Sequence, residues 1–186
     1  GSVVERIRSN ARHGLRLADD FVQLARARRR PIAPEPVDLC DMTREGADMV
    51  WPRATARNVR IEDGSGDGEI WVMGDHAMLL RATVNLLDNA VKFAPEGGQV
   101  DVAVRVEGGR ARLSITGPGP DMPPGRAERP FALYAEGRDV KGQTSIGLGL
   151  AFVQATAVRH GGTADYHHEP GYGATFSLSL PLADDD

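Results

Sequence analysis

Asn85, Asn89 and Lys92 stand four and three residues apart in the stretch from Asp75 to Phe93. That spacing puts them on one face of a helix, in line with Arg81. Asparagine in a helix interior costs propensity, because its amide competes for backbone hydrogen bonds. Two amide oxygens one turn apart can hold a hydrated Mg²⁺ or its waters, and a lysine one turn on can meet a phosphate. A solvated face, with Asp88 and Lys92 as an ordinary ion pair, fits the same spacing. The glycine runs are the second group. Gly147-Leu148-Gly149-Leu150 opens an expected helix, where free N–H groups and partial positive charge suit phosphate. Glycine also lets the backbone come close to a ligand. Gly117-Pro118-Gly119-Pro120 follows an expected strand, and Gly171, Gly173 and Thr175 stand before the last one. Each of these runs also reads as a plain turn.

The elements that must position these residues follow from hydrophobic pattern. Leu79, Thr83, Leu86, Ala90 and Phe93 give the helix 75–93 an apolar face, and Asp75 can cap it. Residues 147–160 read as a second helix, and 38–56 as a third, with Leu39, Met42, Ala47, Val50 and Trp51 apolar. Residues 59–61 and 70–72 read as short strands across a Gly/Asp turn. Residues 100–106 and 112–115 alternate with period two, and Gly108-Gly109 between them marks a hairpin. Residues 163–167 and 174–180 are the closing strands. Residues 117–145 show no period, and a loop that long is usually functional or mobile. Helices interleaved with hairpins, rather than βα repeats, predict an α+β fold with a mixed sheet.

Residues 3–29 read as one helix. Val4, Ile7, Ala11, Gly14, Ala18, Phe21 and Ala25 form a heptad seam. Leu15, Leu17, Val22 and Leu24 widen it, so the helix is expected to pack in a bundle, with a second copy of the chain as one partner. A helix folded back on its own domain is the other reading. Arg26, Arg28, Arg29 and Arg30 close the helix, and Pro31, Pro34 and Pro36 form a stiff linker. The opening Gly1-Ser2 reads as an expression scar, and the final three aspartates as a frayed tail.

The 186 residues are 41% apolar and 26% charged, which fits a globular domain rather than disorder. A net charge of −4 excludes a nucleic-acid footprint. The single cysteine, Cys40, cannot form an internal disulfide, so a reducing compartment is expected. No apolar run nears the roughly 20 residues that cross a bilayer, so no membrane contact is expected of this chain.

Taken in order, four segments resemble a family. NLLDNAVKFAPEGG (Asn85 to Gly98), SITGPGPDMP (Ser114 to Pro123), SIGLGLAFVQATAVRHGG (Ser145 to Gly162) and GYGATFSLSLP (Gly171 to Pro181) are similar to the four nucleotide-site boxes of sensor histidine kinases. The resemblance covers residues 37–182 as the catalytic ATP-binding domain. Helix 3–30, with its QLARA segment, resembles the second helix of the dimerisation and histidine-phosphotransfer hairpin, and 31–36 is then the linker. The resemblance implies a two-layer sandwich of helices on a mixed, mainly antiparallel sheet, shared with gyrase-type ATPases. It implies ATP and Mg²⁺ as cofactors, with Asn85 near the phosphates and Asn89 as the Mg²⁺ ligand. Lys92 would reach a phosphate, Phe93 would face adenine, and Gly147, Leu148, Gly149 and Leu150 would offer N–H groups. Gly117, Gly119 and Thr175 would complete the site. Residues 121–145 would form a lid, with Phe131 beneath it and Arg138 and Lys141 as phosphate contacts. The implied partners are a response regulator and a second copy of the chain, in the cytoplasmic part of a membrane-bound bacterial sensor.

Two departures qualify that expectation. The family's phosphoacceptor histidine precedes the second hairpin helix, and His13, His76, His160, His167 and His168 lie in no such motif, so this chain alone is not expected to autophosphorylate. The family's second box is Asp-x-Gly-x-Gly, whose Asp accepts a hydrogen bond from the adenine amine. Without a gap that Asp position is Gly117 and the last glycine is Asp121; with a two-residue deletion, Gly117 and Gly119 are the family glycines. The aspartate is absent either way. In the fourth box Ala174 stands where Thr is common, with Thr175 next. A degenerate kinase acting as a dimeric scaffold is therefore the alternative, and lost selectivity for adenine is the sharper expectation.

Overall fold

The computed structural model describes residues 3–29, 31–132, 137–138, 144–145 and 148–183. Along the chain run α1 (Val3–Arg29), β1 (Glu35–Asp38), α2 (Leu39–Ala56), β2 (Arg60–Asp63), β3 (Trp71–Gly74), α3 (His76–Phe93), β4 (Gln99–Glu107) and β5 (Arg110–Gly117). A single turn, α4 (Pro124–Ala127), and a two-residue strand pair, β6 (Gly137–Arg138) and β7 (Thr144–Ser145), precede α5 (Leu148–Arg159), β8 (Thr163–Glu169) and β9 (Gly173–Pro181).

The main sheet grows from alternation. Val100, Val102 and Val104 of β4, and Ala111, Leu113 and Ile115 of β5, all point to one buried face. Gly108 and Gly109 both adopt positive φ, which a two-residue hairpin turn demands. The five strands are ordered β2-β4-β5-β9-β8, with β2 parallel to β4 and every other pair antiparallel. Leu79, Leu86 and Leu87 of α3 join Leu113, Ile115, Leu178 and Leu180 in the core between helices and sheet. The fold is thus the expected α+β sandwich on a mixed, mainly antiparallel sheet.

Three local expectations are corrected. The proline-rich stretch does not stay a linker as far as residue 36. Glu35–Asp38 pairs antiparallel with Trp71–Gly74, and Pro36 is tolerated because this two-stranded sheet consists only of edges. The strands either side of the Gly/Asp turn do not pair with each other. β2 joins β4, whereas β3 joins β1. The helix expected from residue 38 begins at Leu39, because Asp38 caps it by accepting from the Cys40 N–H at 3.0 Å.

Helix α1 divides along its length. Leu24 and Ala27 are buried where its C-terminal part meets α5, and Arg159 donates to the Ala27 carbonyl at 3.2 Å. Arg81 of α3 reaches Asp19 and Asp20 at 3.2 and 3.0 Å. Val3, Val4, Ile7 and Leu15 are all more than 60% exposed. The C-terminal end therefore folds back on its own domain, and the first turns of the seam face solvent. Among the described residues no helix is long and apolar enough to cross a membrane.

Candidate nucleotide-binding site

Helix α3 is fixed at its start. Asp75 accepts from the Met78 N–H at 3.0 Å, closing an N-cap. The Asp75 N–H in turn donates to Nε2 of His160, at 3.0 Å, while Nδ1 of the same ring lies 2.7 Å from the Thr156 carbonyl. Those partners require a proton on Nδ1 and a lone pair on Nε2, so the ring is neutral. His160 thus ties the start of α3 to the end of α5. Gly74 makes room for it, since a Cβ there would sit 2.7 Å from the ring. The sequence offered no sign of this role, because His160 and its Asp75 partner lie 85 positions apart.

Farther along, the Asn85 amide donates to the Gly149 carbonyl at 3.3 Å, which seats the first turn of α5 against the asparagine face of α3. The side chains of Leu148 and Leu150 are buried in the core, so only their backbone can serve a ligand. Gly147 lies outside the described residues, as do Lys141 and the side chain of Arg138. Asp88 does not pair with Lys92. It pairs with Arg53 at 2.9 Å, and burial pushes its carboxyl above the usual range against the opposing pull of Arg53. The Lys92 ammonium lies 5.6 Å from the centroid of the Phe93 ring.

Asn89 and Phe93 open onto a cavity of about 250 Å³. Ala90 completes the α3 wall, and Gly117, Ala174 and Phe176 form the floor from β5 and β9. Phe131 packs edge-on against Phe176, with ring centroids 6.3 Å apart. Gly117 faces α3, and a Cβ there would make ordinary contact at 3.6 Å with Ala90 and Val100. Gly117 also lines the cavity, so the β5 wall carries no side chain there. Thr175 is placed elsewhere. Strand alternation turns it to the other sheet face, where its hydroxyl meets that of Thr116 at 2.8 Å, and its neighbour Ala174 lines the cavity instead.

The third wall, residues 119–126 with Tyr166, was not singled out by spacing as a unit. Tyr166 donates to Asp121 Oδ1 at 2.7 Å, and the Met122 N–H bonds the same oxygen at 2.7 Å. His168 stands 3.8 Å from the other oxygen. The Tyr166 bond, with help from the Met122 N–H and His168, holds the Asp121 carboxyl below its ordinary range. Burial first, then the hydrogen bond to Asp121, push the Tyr166 hydroxyl up to about 12. Arg126 also lines the cavity, and its Nε is buried with no hydrogen-bond partner among the described residues. Tyr166 comes from β8 and so was invisible to local pattern.

Residues 74–184 match the family model for histidine kinase-, DNA gyrase B- and HSP90-like ATPases. The chain belongs to this family. Its relatives place it on the sensor histidine kinase branch. It is 36% identical over 147 residues to the signal transduction histidine-protein kinase/phosphatase MprB of Mycolicibacterium smegmatis, covering 78% of this chain and 29% of that protein. It is 30% identical over 152 residues to the sensor-like histidine kinase SenX3 of Mycobacterium tuberculosis, covering 77% of this chain and 37% of the relative. The chain thus spans about a third of these curated relatives. Among solved structures, full-length ShkA in complex with AMPPNP superposes with a TM-score of 0.81 at 29% identity, over 98% of this chain and 38% of that one. The mycobacterial sensor histidine kinase MprB gives a TM-score of 0.71 at 29% identity, over 82% of this chain and all of the other. The matched region is therefore the ATP-binding catalytic domain of a sensor histidine kinase.

Proposed function

We propose that this domain positions a Mg²⁺-bound nucleoside triphosphate and delivers its γ-phosphoryl group to a histidine on another segment of the parent kinase. The observation that carries this reading is the seating of the α5 start on the asparagine face of α3, beside the Asn89–Phe93 cavity. Asn89 supplies an amide oxygen for Mg²⁺, a hard cation that keeps several waters and takes few protein ligands, so a sparse donor set fits it. When bound, the ion neutralises charge on the phosphates. Asn85 holds the first turn of α5 in place, and the N–H groups of that turn orient the phosphates. Lys92 and Gly147 complete the phosphate end, Phe93 lies against the base, and Gly117 and Gly119 line the base pocket. The protein's contribution to the transfer is positioning and electrostatic stabilisation, with little covalent chemistry of its own.

On this reading α1 is the second helix of a dimerisation hairpin, whose exposed seam meets a second copy in the parent protein. The partner that receives the phosphoryl group onward is a response regulator. The domain belongs to the cytoplasmic part of a membrane-bound sensor.

The test is calorimetric titration with non-hydrolysable nucleoside triphosphate analogues, with and without Mg²⁺. Mg²⁺-dependent binding is expected, and Asn89→Ala is expected to weaken it about tenfold or more, the worth of one charge-assisted contact. No binding of any analogue to the folded domain would overturn the reading.

A further inference from the structure

Among the described residues, Asp121 brings the only carboxylate to the wall of the Asn89–Phe93 cavity. It stands four positions after Gly117, which lines the same cavity without a side chain. Two donors grip it, and both take the same oxygen. The Tyr166 hydroxyl and the Met122 N–H each reach Oδ1 at 2.7 Å. The Met122 N–H also lies 3.1 Å from the Tyr166 oxygen, so the three groups close a small ring. Tyr166 and Met122 line the cavity as well. Oδ2 accepts no hydrogen bond among the described residues. The Nδ1 of His168 stands 3.8 Å from it, within ion-pair range but beyond hydrogen-bond reach. The grip on Oδ1 holds the carboxyl below its ordinary range, so at neutral pH the group offers lone pairs and no proton. Two bonds to one oxygen orient the carboxylate and leave the other oxygen for a ligand.

We infer that Asp121 is the specificity-determining residue for the base, with Oδ2 accepting from the exocyclic amine of adenine, and that Tyr166 is the positioning residue that orients it. This rests on the nucleotide reading above. Adenine carries its amine donor beside ring-nitrogen acceptors, so a pocket that reads it needs an acceptor for the amine. The other polar side chains of the cavity do not serve. The Asn89 oxygen goes to the metal on the reading above, the Tyr166 hydroxyl donates to Asp121, and a guanidinium such as that of Arg126 has no lone pair to offer. Phe93 and Phe176 supply apolar ring surface for the flat base, so the polar contact is left to set which base is chosen. Sites that read a polar group by hydrogen bond discriminate strongly, because the wrong ligand leaves a partner unpaired. The selectivity that the glycine at 117 puts in doubt is thereby kept, from a residue farther along the same segment.

The experiment is titration of the intact chain, with Mg²⁺, against two non-hydrolysable triphosphate analogues. One carries adenine, and the other carries unsubstituted purine, the same ring system without the amine. The adenine analogue is expected to bind about tenfold more tightly, the low end for one hydrogen bond to a charged acceptor, since the Asp121 side chain is 57% exposed. Asp121→Asn can keep its oxygen on Tyr166 and Met122, and it then turns an NH₂ donor to where Oδ2 stood. It is expected to erase the preference by weakening the adenine analogue and sparing the purine one. Asp121→Ala serves the same end if the asparagine variant does not fold. Tyr166→Phe is expected to narrow the gap between the two analogues, and equal weakening of both would overturn its positioning role. A preference that survives at full size in both Asp121 variants would overturn the inference, because the amine would then be read elsewhere. Equal binding of the two analogues to the parent chain would also overturn it and leave the nucleotide reading standing. Binding of neither would overturn both.

Discussion

Tyr166 and Asp121 form a pair whose protonation is set by geometry. The tyrosine hydroxyl donates at 2.7 Å, so the bond requires a neutral phenol and is strongest to an ionised carboxylate. The phenol titrates at about 12 when folded, above its ordinary value near 10. Its contribution to stability is therefore whole below pH ~10 and is lost as pH climbs from there toward 12. The carboxylate is shifted the other way, so its contribution is present above its ordinary range and is lost as pH falls through the lowered value. Denaturant titrations from pH 8 to 12 are expected to show stability falling more steeply in the parent protein than in Tyr166→Phe. Equal slopes would mean that folding does not shift the phenol. The sequence held no hint of this pair, because Asp121 and Tyr166 lie 45 positions apart and meet only once β8 is in the sheet.

Strands and helices were legible where their pattern is local. The β4–β5 hairpin announces itself by alternation and by two glycines that adopt the positive φ its turn needs. Helix α3 is legible from its apolar face and its Asp75 cap. The partners of β2 and β3 were not, because parallel pairing with β4 and pairing with β1 are decided by packing across the molecule. The same holds for Thr175, which is one strand position from where a side chain would line the cavity. One element boundary carries a sharp cost. A Cβ at Gly162, between α5 and β8, would fall on the carbonyl oxygen of Ser179 and press on the Leu180 side chain. The oxygen belongs to the backbone of β9 and cannot step aside cheaply. Gly162→Ala is expected to cost about 2–3 kcal/mol, at the upper end for overpacking, as read by thermal or chemical unfolding. A loss under about 0.5 kcal/mol would show that the α5–β8 junction relaxes freely.

Across the whole molecule, the long first helix is attached by its last turns. Leu24 and Ala27 are buried against the domain, Arg159 holds the Ala27 carbonyl, and Arg81 reaches back to Asp19 and Asp20. Heptad spacing revealed the seam but not the division, because periodicity says which face is apolar and not what covers it. Leu24→Ala is expected to weaken docking of the helix by about 2–4 kcal/mol, seen as faster amide exchange confined to its C-terminal turns. Unchanged exchange there would mean that Leu24 carries little of the attachment.

Helices α3 and α5 run antiparallel and are fastened twice. His160 fastens the start of α3 to the end of α5, and Asn85 fastens the middle of α3 to the start of α5. Two rods bolted at both ends of their overlap cannot spread like a jaw. Any enlargement of the cavity to admit a bulkier guest must therefore come from its third side, the run that follows β5, whose described anchorage to the sheet includes the single Tyr166–Asp121–Met122 knot. Loosening that knot widens the entrance and leaves the bolted pair where it stands.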